Sequence, residues 1–188
     1  MRIRSFTAPL LLVLVVAGCA SSLLSRPALA PEQQAFFAEL RGLCGESFGG
    51  TAVEAHPGDT VYTGSRMVMQ VRDCTDDQVV IPVQVGEDRS RTWIVSRGEA
   101  GLRLTHIHRH ADGTEDENSR YGGTTLTPGE TWRQDFPADT FSVRMVPGRA
   151  TQSWTMELRP GDSFDYSLHR TATGLRYRFR FDLARPQP

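Results

Sequence analysis

Lysine is absent from the 188 residues, and all 21 basic side chains are arginine. Schiff-base chemistry and a Ser-Lys dyad are thereby excluded, because both need an amine side chain. Cysteine is scarce, with three in the chain and none spaced as C-x-x-C. No G-x-S-x-G and no phosphate-cradling glycine loop occurs, so the usual signatures of α/β-hydrolase and nucleotide chemistry are missing. Nor does either sign of charge dominate: 21 Arg face 22 Asp and Glu, which gives no argument for nucleic acid as a partner. The one prominent apolar run, from about Leu10 to Ala17, is too short to span a bilayer as a permanent helix.

That short run follows Arg2 and Arg4 and ends in Val16-Ala17-Gly18-Cys19, the layout of a secretory signal. These four residues resemble the lipobox of bacterial lipoproteins. The resemblance implies cleavage before Cys19, acylation of its thiol and new amine, and a membrane partner held through the lipid. An ordinary cleavage site at Ala28-Leu29-Ala30 would place Pro31 after the scissile bond, a poor substrate. Ala20 and Ser21 after the modified cysteine imply, by Gram-negative sorting rules, an outer-membrane lipoprotein facing the periplasm. Residues 1–18 are then signal peptide, 19–30 a tether rich in small residues, and 31–185 a single domain. The 170 residues after cleavage hold 19 Arg against 22 acids, a formal charge of −3.

In an oxidising compartment the remaining pair, Cys44 and Cys74, is expected to form a disulfide. Pro31 to Leu43 reads as the one good helix. Pro31 suits the first helical position, Glu32 the first turn and Arg41 the last, and Phe36, Phe37, Leu40 and Leu43 repeat at helical spacing. Its Phe face should pack on a sheet.

Beyond Gly45 the pattern changes to period two with turn dipeptides every 8 to 12 residues, the grammar of antiparallel β structure. Strands are expected near Gly50–Ala55, Arg66–Asp73, Gln78–Val85, Thr92–Ser96, Gly101–His110, Tyr121–Leu126, Glu130–Phe136, Phe141–Met145, Ser153–Leu158, Ser163–His169 and Leu175–Leu183. Leu175, Tyr177, Phe179, Phe181 and Leu183 alternate with Arg176, Arg178 and Arg180, so one face meets a core and the other water. The fold class expected is mainly β: an antiparallel, lipocalin-like β-barrel of about 8–11 strands with one N-terminal helix. Trp93, Trp132 and Trp154 each fall inside an expected strand, as core or barrel-lining residues.

The densest cluster of chemistry-bearing residues is Leu102–Glu115, LRLTHIHRHADGTE. On a strand, His106, His108 and His110 share the face begun by Leu102 and Leu104. Two imidazoles in H-x-H converge on one ion readily, whereas three in a row span about 13 Å and do not. A divalent-metal site would therefore use one H-x-H pair plus Glu115, Asp112 or His169. His108, His110, Glu115 and Gly122 resemble the first motif of the cupins, a metal-binding barrel family, with Gly101 one place early and the second motif absent. The resemblance implies a metal held by His108, His110 and Glu115, with His169 or His106 completing the set, and a metal-dependent enzyme.

HIHRHADG followed by Tyr121-Gly122-Gly123 also resembles a group of bacterial secreted or lipoprotein sequences, a likeness that brings no activity with it. The ladder has a plainer reading, a sheet face at the barrel mouth paired with the acids of the DGTEDE turn. Asp112, Glu115 and Asp116 would then raise the histidine pKa values. Glu115-Asp116-Glu117 lacks EF-hand spacing, and Gly161-Asp162-Ser163-Phe164 reads as a turn rather than an esterase motif. Three roles stay open: a non-catalytic barrel binding a small ligand or metal, the cupin-like enzyme, and an envelope scaffold.

Overall fold

A computed structural model describes residues 28–187. The expected signal sequence, the expected lipobox Cys19 and the expected tether up to residue 27 lie outside the described residues. Helix α1 (Pro31–Gly42) buries Phe36, Phe37 and Leu40. Gln33 is buried as well, its amide donating to Thr125 Oγ1 (2.8 Å) and to the Thr127 carbonyl (3.1 Å). The chain leaves the helix through the Cys44–Cys74 disulfide, and the Gly45 N–H bonds the Val71 carbonyl at 2.8 Å. The helix is thus fastened at both ends.

Ten antiparallel strands follow. They are β1 (Ser47–Glu54), β2 (Met67–Gln70), β3 (Gln78–Val85), β4 (Asp88–Arg97), β5 (Leu102–His108), β6 (Gly122–Thr124), β7 (Arg133–Pro137), β8 (Gln152–Arg159), β9 (Ser163–Arg170) and β10 (Leu175–Gln187). Hydrogen-bonded neighbours run β6-β5-β4-β3-β2-β1-β10-β9-β8-β7, so every pairing except β1 with β10 joins strands consecutive in the chain. The sheet is a meander curled into a nearly closed barrel, with no Greek-key crossover. Side chains alternate as the period-two pattern requires: Val79, Ile81, Val83 and Val85 of β3 point in, as do Phe164 and Tyr166 of β9 and Phe179, Phe181 and Leu183 of β10. On the outer face of β10, Arg178 and Arg180 pair with Asp165 at 2.7 and 2.8 Å.

Closure falls between β6 and β7, where Gly123 bridges to Ala138 and the Asp139 N–H donates to the Gly122 carbonyl (3.0 Å). Backbones approach so closely here that a Cβ on Gly122 would sit 1.9 Å from the Leu104 carbonyl oxygen, and one on Gly123 2.1 Å from that of Pro137. Only glycine fits, which accounts for the Gly-Gly pair.

The expected strand Phe141–Met145 is instead a short helix, α2 (Thr140–Met145). Asp139 caps it by accepting from the Ser142 N–H (2.8 Å), and Ser142 Oγ accepts from the Gly122 N–H (2.7 Å). Local capping chemistry overrides the alternating apolar pattern of FSVRM. Trp132 lies outside β7 and is 39% exposed, unlike Trp93 and Trp154, which are buried as expected of core residues.

Candidate ligand-binding site

Strand directions give the barrel two distinct ends. Helix α1 and the Leu102 end of β5 share one, joined through Thr125, whose hydroxyl meets both Gln33 and the Leu102 N–H. Six residues later, at about 3.4 Å each, β5 reaches His108 at the opposite end, roughly 20 Å away. That second end is the mouth, and the segment 55–66 between β1 and β2 folds across it. There Asp59 accepts from the Val61 and Tyr62 N–H groups (2.8 and 3.0 Å), and the Tyr177 hydroxyl donates to its other oxygen (2.7 Å).

Under this segment lies a cavity of about 100 Å³ whose walls include Tyr62, Tyr121, Tyr166 and Tyr177, together with Arg91, Trp93, His106, His108 and Phe179. The chain has four tyrosines, and all four line it. Aromatic packing fixes the walls. Tyr166 stacks on Trp93 (centroids 4.0 Å apart, planes 10° apart) and on Phe179, while Tyr62 meets Tyr177 edge-on at 5.2 Å. Rings held this way present rigid faces at low conformational cost.

The histidine ladder enters the site by degrees. His106 is 3% exposed, with Nδ1 3.2 Å from the Tyr121 carbonyl and Nε2 2.6 Å from the Tyr166 hydroxyl. A carbonyl only accepts, so Nδ1 carries the proton and Nε2 accepts from Tyr166: a neutral imidazole with both nitrogens used. Burial outweighs the Tyr121 hydrogen bond and pushes its pKa down to about 3, with the charges of His108 and Arg149 adding to the fall. His108 is half-buried and pairs through Nε2 with the Tyr121 hydroxyl at 2.9 Å. Its pKa also falls, through burial and the neighbouring Arg91, despite Asp116 and Asp88. The expected upward shift from the acidic turn is therefore reversed at both positions, because desolvation dominates.

His110 stands exposed at the hairpin tip, its ring nitrogens 3.8 Å from Asp116 and 3.7 Å from Glu117. Among the described residues, His110, Asp116 and Glu117 are the metal-ligating side chains that gather within 4.8 Å of one another. His108, His110 and Glu115 do not assemble into one site: both Glu115 oxygens are held by Arg120 (2.5 and 2.7 Å). His169 pairs with Arg176 across β9 and β10, on the face opposite Tyr166 and Leu168, and so outside the barrel.

Two cations flank the aromatic walls. Arg91 pairs with Asp88 and lies 5.6 Å from the Tyr62 ring centre. Arg149 is buried with no carboxylate partner among the described residues, its guanidinium 3.9 Å from the Tyr121 ring centre and bonded to Asn118 Oδ1 (2.9 Å). Burial raises the Tyr121 phenol to about 12, so it stays protonated at neutral pH.

The sequence reading reached His106 and His108 but missed the tyrosines, Arg91 and Arg149. The inward positions of Tyr166 and Tyr177 follow from strand alternation. Tyr62 and Tyr121 lie in irregular segments, where no period points inward.

Fold and site together define a ten-stranded up-and-down barrel, plugged at one end by a helix and lined at the other by tyrosine and histidine. The chain matches no protein-family model, no curated protein and no solved structure.

Proposed function

We propose that this is a lipid-anchored protein of the cell envelope, held at the outer membrane through Cys19 and facing the periplasm, whose barrel mouth binds a small single-ring ligand without transforming it. The convergence of all four tyrosines on one cavity carries the reading. Four aromatic rings suggest a cage for a cation, but two guanidiniums beside a site that already holds its histidines neutral disfavour a positive guest. The favoured ligand is neutral or anionic, planar, and able to exchange hydrogen bonds with phenols and an imidazole. Its size is bounded by the cavity: at about 100 Å³ it is smaller than an engineered 150 Å³ cavity that takes benzene, so the guest is at most one small ring, with its polar group left in the opening.

Non-catalytic binding is favoured because His106, the most enclosed imidazole of the site, has both nitrogens engaged and is held neutral, so it is not poised to exchange protons near pH 7. Isothermal titration with phenol, benzoate and benzylammonium as probes tests this. Saturable binding of the first two, weakened at least tenfold by Tyr121→Ala and absent for the cation, supports the reading, and tighter binding of the cation contradicts it. A divalent ion on His110, Asp116 and Glu117 is the second reading, favoured by their convergence. Zinc titration of wild type against His110→Ala decides it.

A further inference from the structure

We infer that the helix-plugged end of the barrel rests on the lipid bilayer, inserting Leu126 and Trp132 at the membrane interface and directing the mouth away from it. This rests on the lipid-anchor reading of Cys19 and adds an orientation and a contact surface to it.

Three observations converge on that end. First, the described chain begins there: Ala28 and Ala30 line the same surface depression as Leu126, Thr127 and Pro128. Nine residue steps from Cys19 to Ala28 reach at most about 30 Å, so an acylated Cys19 holds the domain within that distance of the membrane, with the chain entering it at this end. Leu29 fixes the domain end of that tether, because it is buried in the core and its carbonyl accepts from Gln34.

Second, the most exposed large hydrophobic side chain among the described residues is Leu126, at 80%. It shares the β6–β7 connection with the half-exposed Trp132. The other exposed apolar side chains, Val53, Val61 and Phe141, are dispersed toward the mouth. Third, the Arg159 guanidinium lies 4.8 Å from the Trp132 ring centre. A tryptophan with an arginine beside it suits the interface, where the ring sits at headgroup level and the long cation reaches phosphate.

Because Trp93 and Trp154 are buried, Trp132 is the tryptophan that solvent and lipid probes reach. The full chain, expressed with its signal, is purified in detergent and checked by mass for acylation at Cys19. It is then placed in vesicles of phosphatidylethanolamine and phosphatidylglycerol, with or without acyl chains brominated near the headgroup. Bromine should quench Trp132 emission relative to vesicles without bromine, as expected for interfacial tryptophan, and Trp132 should be shielded from acrylamide. Leu126→Asp should reduce the bromine effect, and Trp132→Phe should abolish it. Acylated protein whose Trp132 ignores bromine and stays open to acrylamide overturns the inference and leaves the anchor intact. Acrylamide shielding without bromine quenching, growing with protein density, identifies a second copy as the occupant and also overturns it. An unacylated Cys19 removes the anchor itself.

Discussion

His106 makes stability depend on pH in a window where few other groups titrate. Its folded pKa of about 3 lies well below the ordinary 6.5. Between those values the unfolded chain binds the proton and the folded chain does not, so acid favours unfolding. The contribution is fully present above pH 6.5 and is lost progressively as pH falls toward 3. Linkage with these two values gives a loss of about 2 kcal/mol between pH 7.5 and pH 5 and about 4 to 5 kcal/mol by pH 3. His108, also depressed, adds to the loss with the same sign. The lowered carboxylates lose their contribution only near and below their ordinary values, 3.8 for Asp165 and 4.5 for Glu115, so most of the loss down to pH 5 belongs to the histidines.

Urea denaturation at pH 7.5, 6 and 5 measures the effect on wild type and on His106→Gln. Glutamine offers the Tyr121 carbonyl a donor and the Tyr166 hydroxyl an acceptor, and it does not titrate. The wild type should lose at least 2 kcal/mol by pH 5 and the variant about 2 kcal/mol less than the wild type. Equal slopes for the two would refute the assignment of a buried, neutral His106. Nitrogen-15 shifts that keep the Nδ1–H neutral form down to pH 4 would support it independently.

Other consequences are as direct. Gly122→Ala should cost about 1 to 3 kcal/mol through overpacking against the Leu104 carbonyl, read as a lowered urea midpoint, with Gly42→Ala as a control that meets no neighbouring atom and has no left-handed backbone to strain. Replacing Cys44 and Cys74 together by alanine should cost roughly 3 to 4 kcal/mol for a closed loop of about 30 residues in the chain-entropy model, measured by the same assay; a loss under about 1 kcal/mol would mean that the helix is held by Gln33 and its Phe face alone.

The barrel was legible because burial on one face of a strand leaves a mark at every second residue, as in Leu175–Leu183 and Gln78–Val85. Helix α1 was legible from Pro31 and its Phe-Leu spacing, and the disulfide from cysteine parity. The Phe141–Met145 segment was misread because its outcome turns on one cap, Asp139, and on Ser142 reaching the Gly122 backbone 20 residues away. Ladder position was legible, but depth was not. His106, His108 and His110 look equivalent in sequence, and only the stagger of the closed sheet makes one buried, one half-buried and one exposed. The tyrosine cluster was illegible for the same reason, since Tyr62 and Tyr177 are 115 positions apart and meet only when segment 55–66 crosses the mouth.

Because all four tyrosines line the cavity, a single isotope label reports on the whole site. Protein labelled with carbon-13 at the tyrosine Cζ gives four signals, to be followed during titration with p-hydroxybenzoate. Saturable shifts of the Tyr121 and Tyr166 signals, with the same midpoint and lost in Tyr121→Ala, are the result expected of a ligand-binding mouth. Four signals that stay unmoved up to millimolar probe, while also failing to respond to phenol and benzoate, would contradict it.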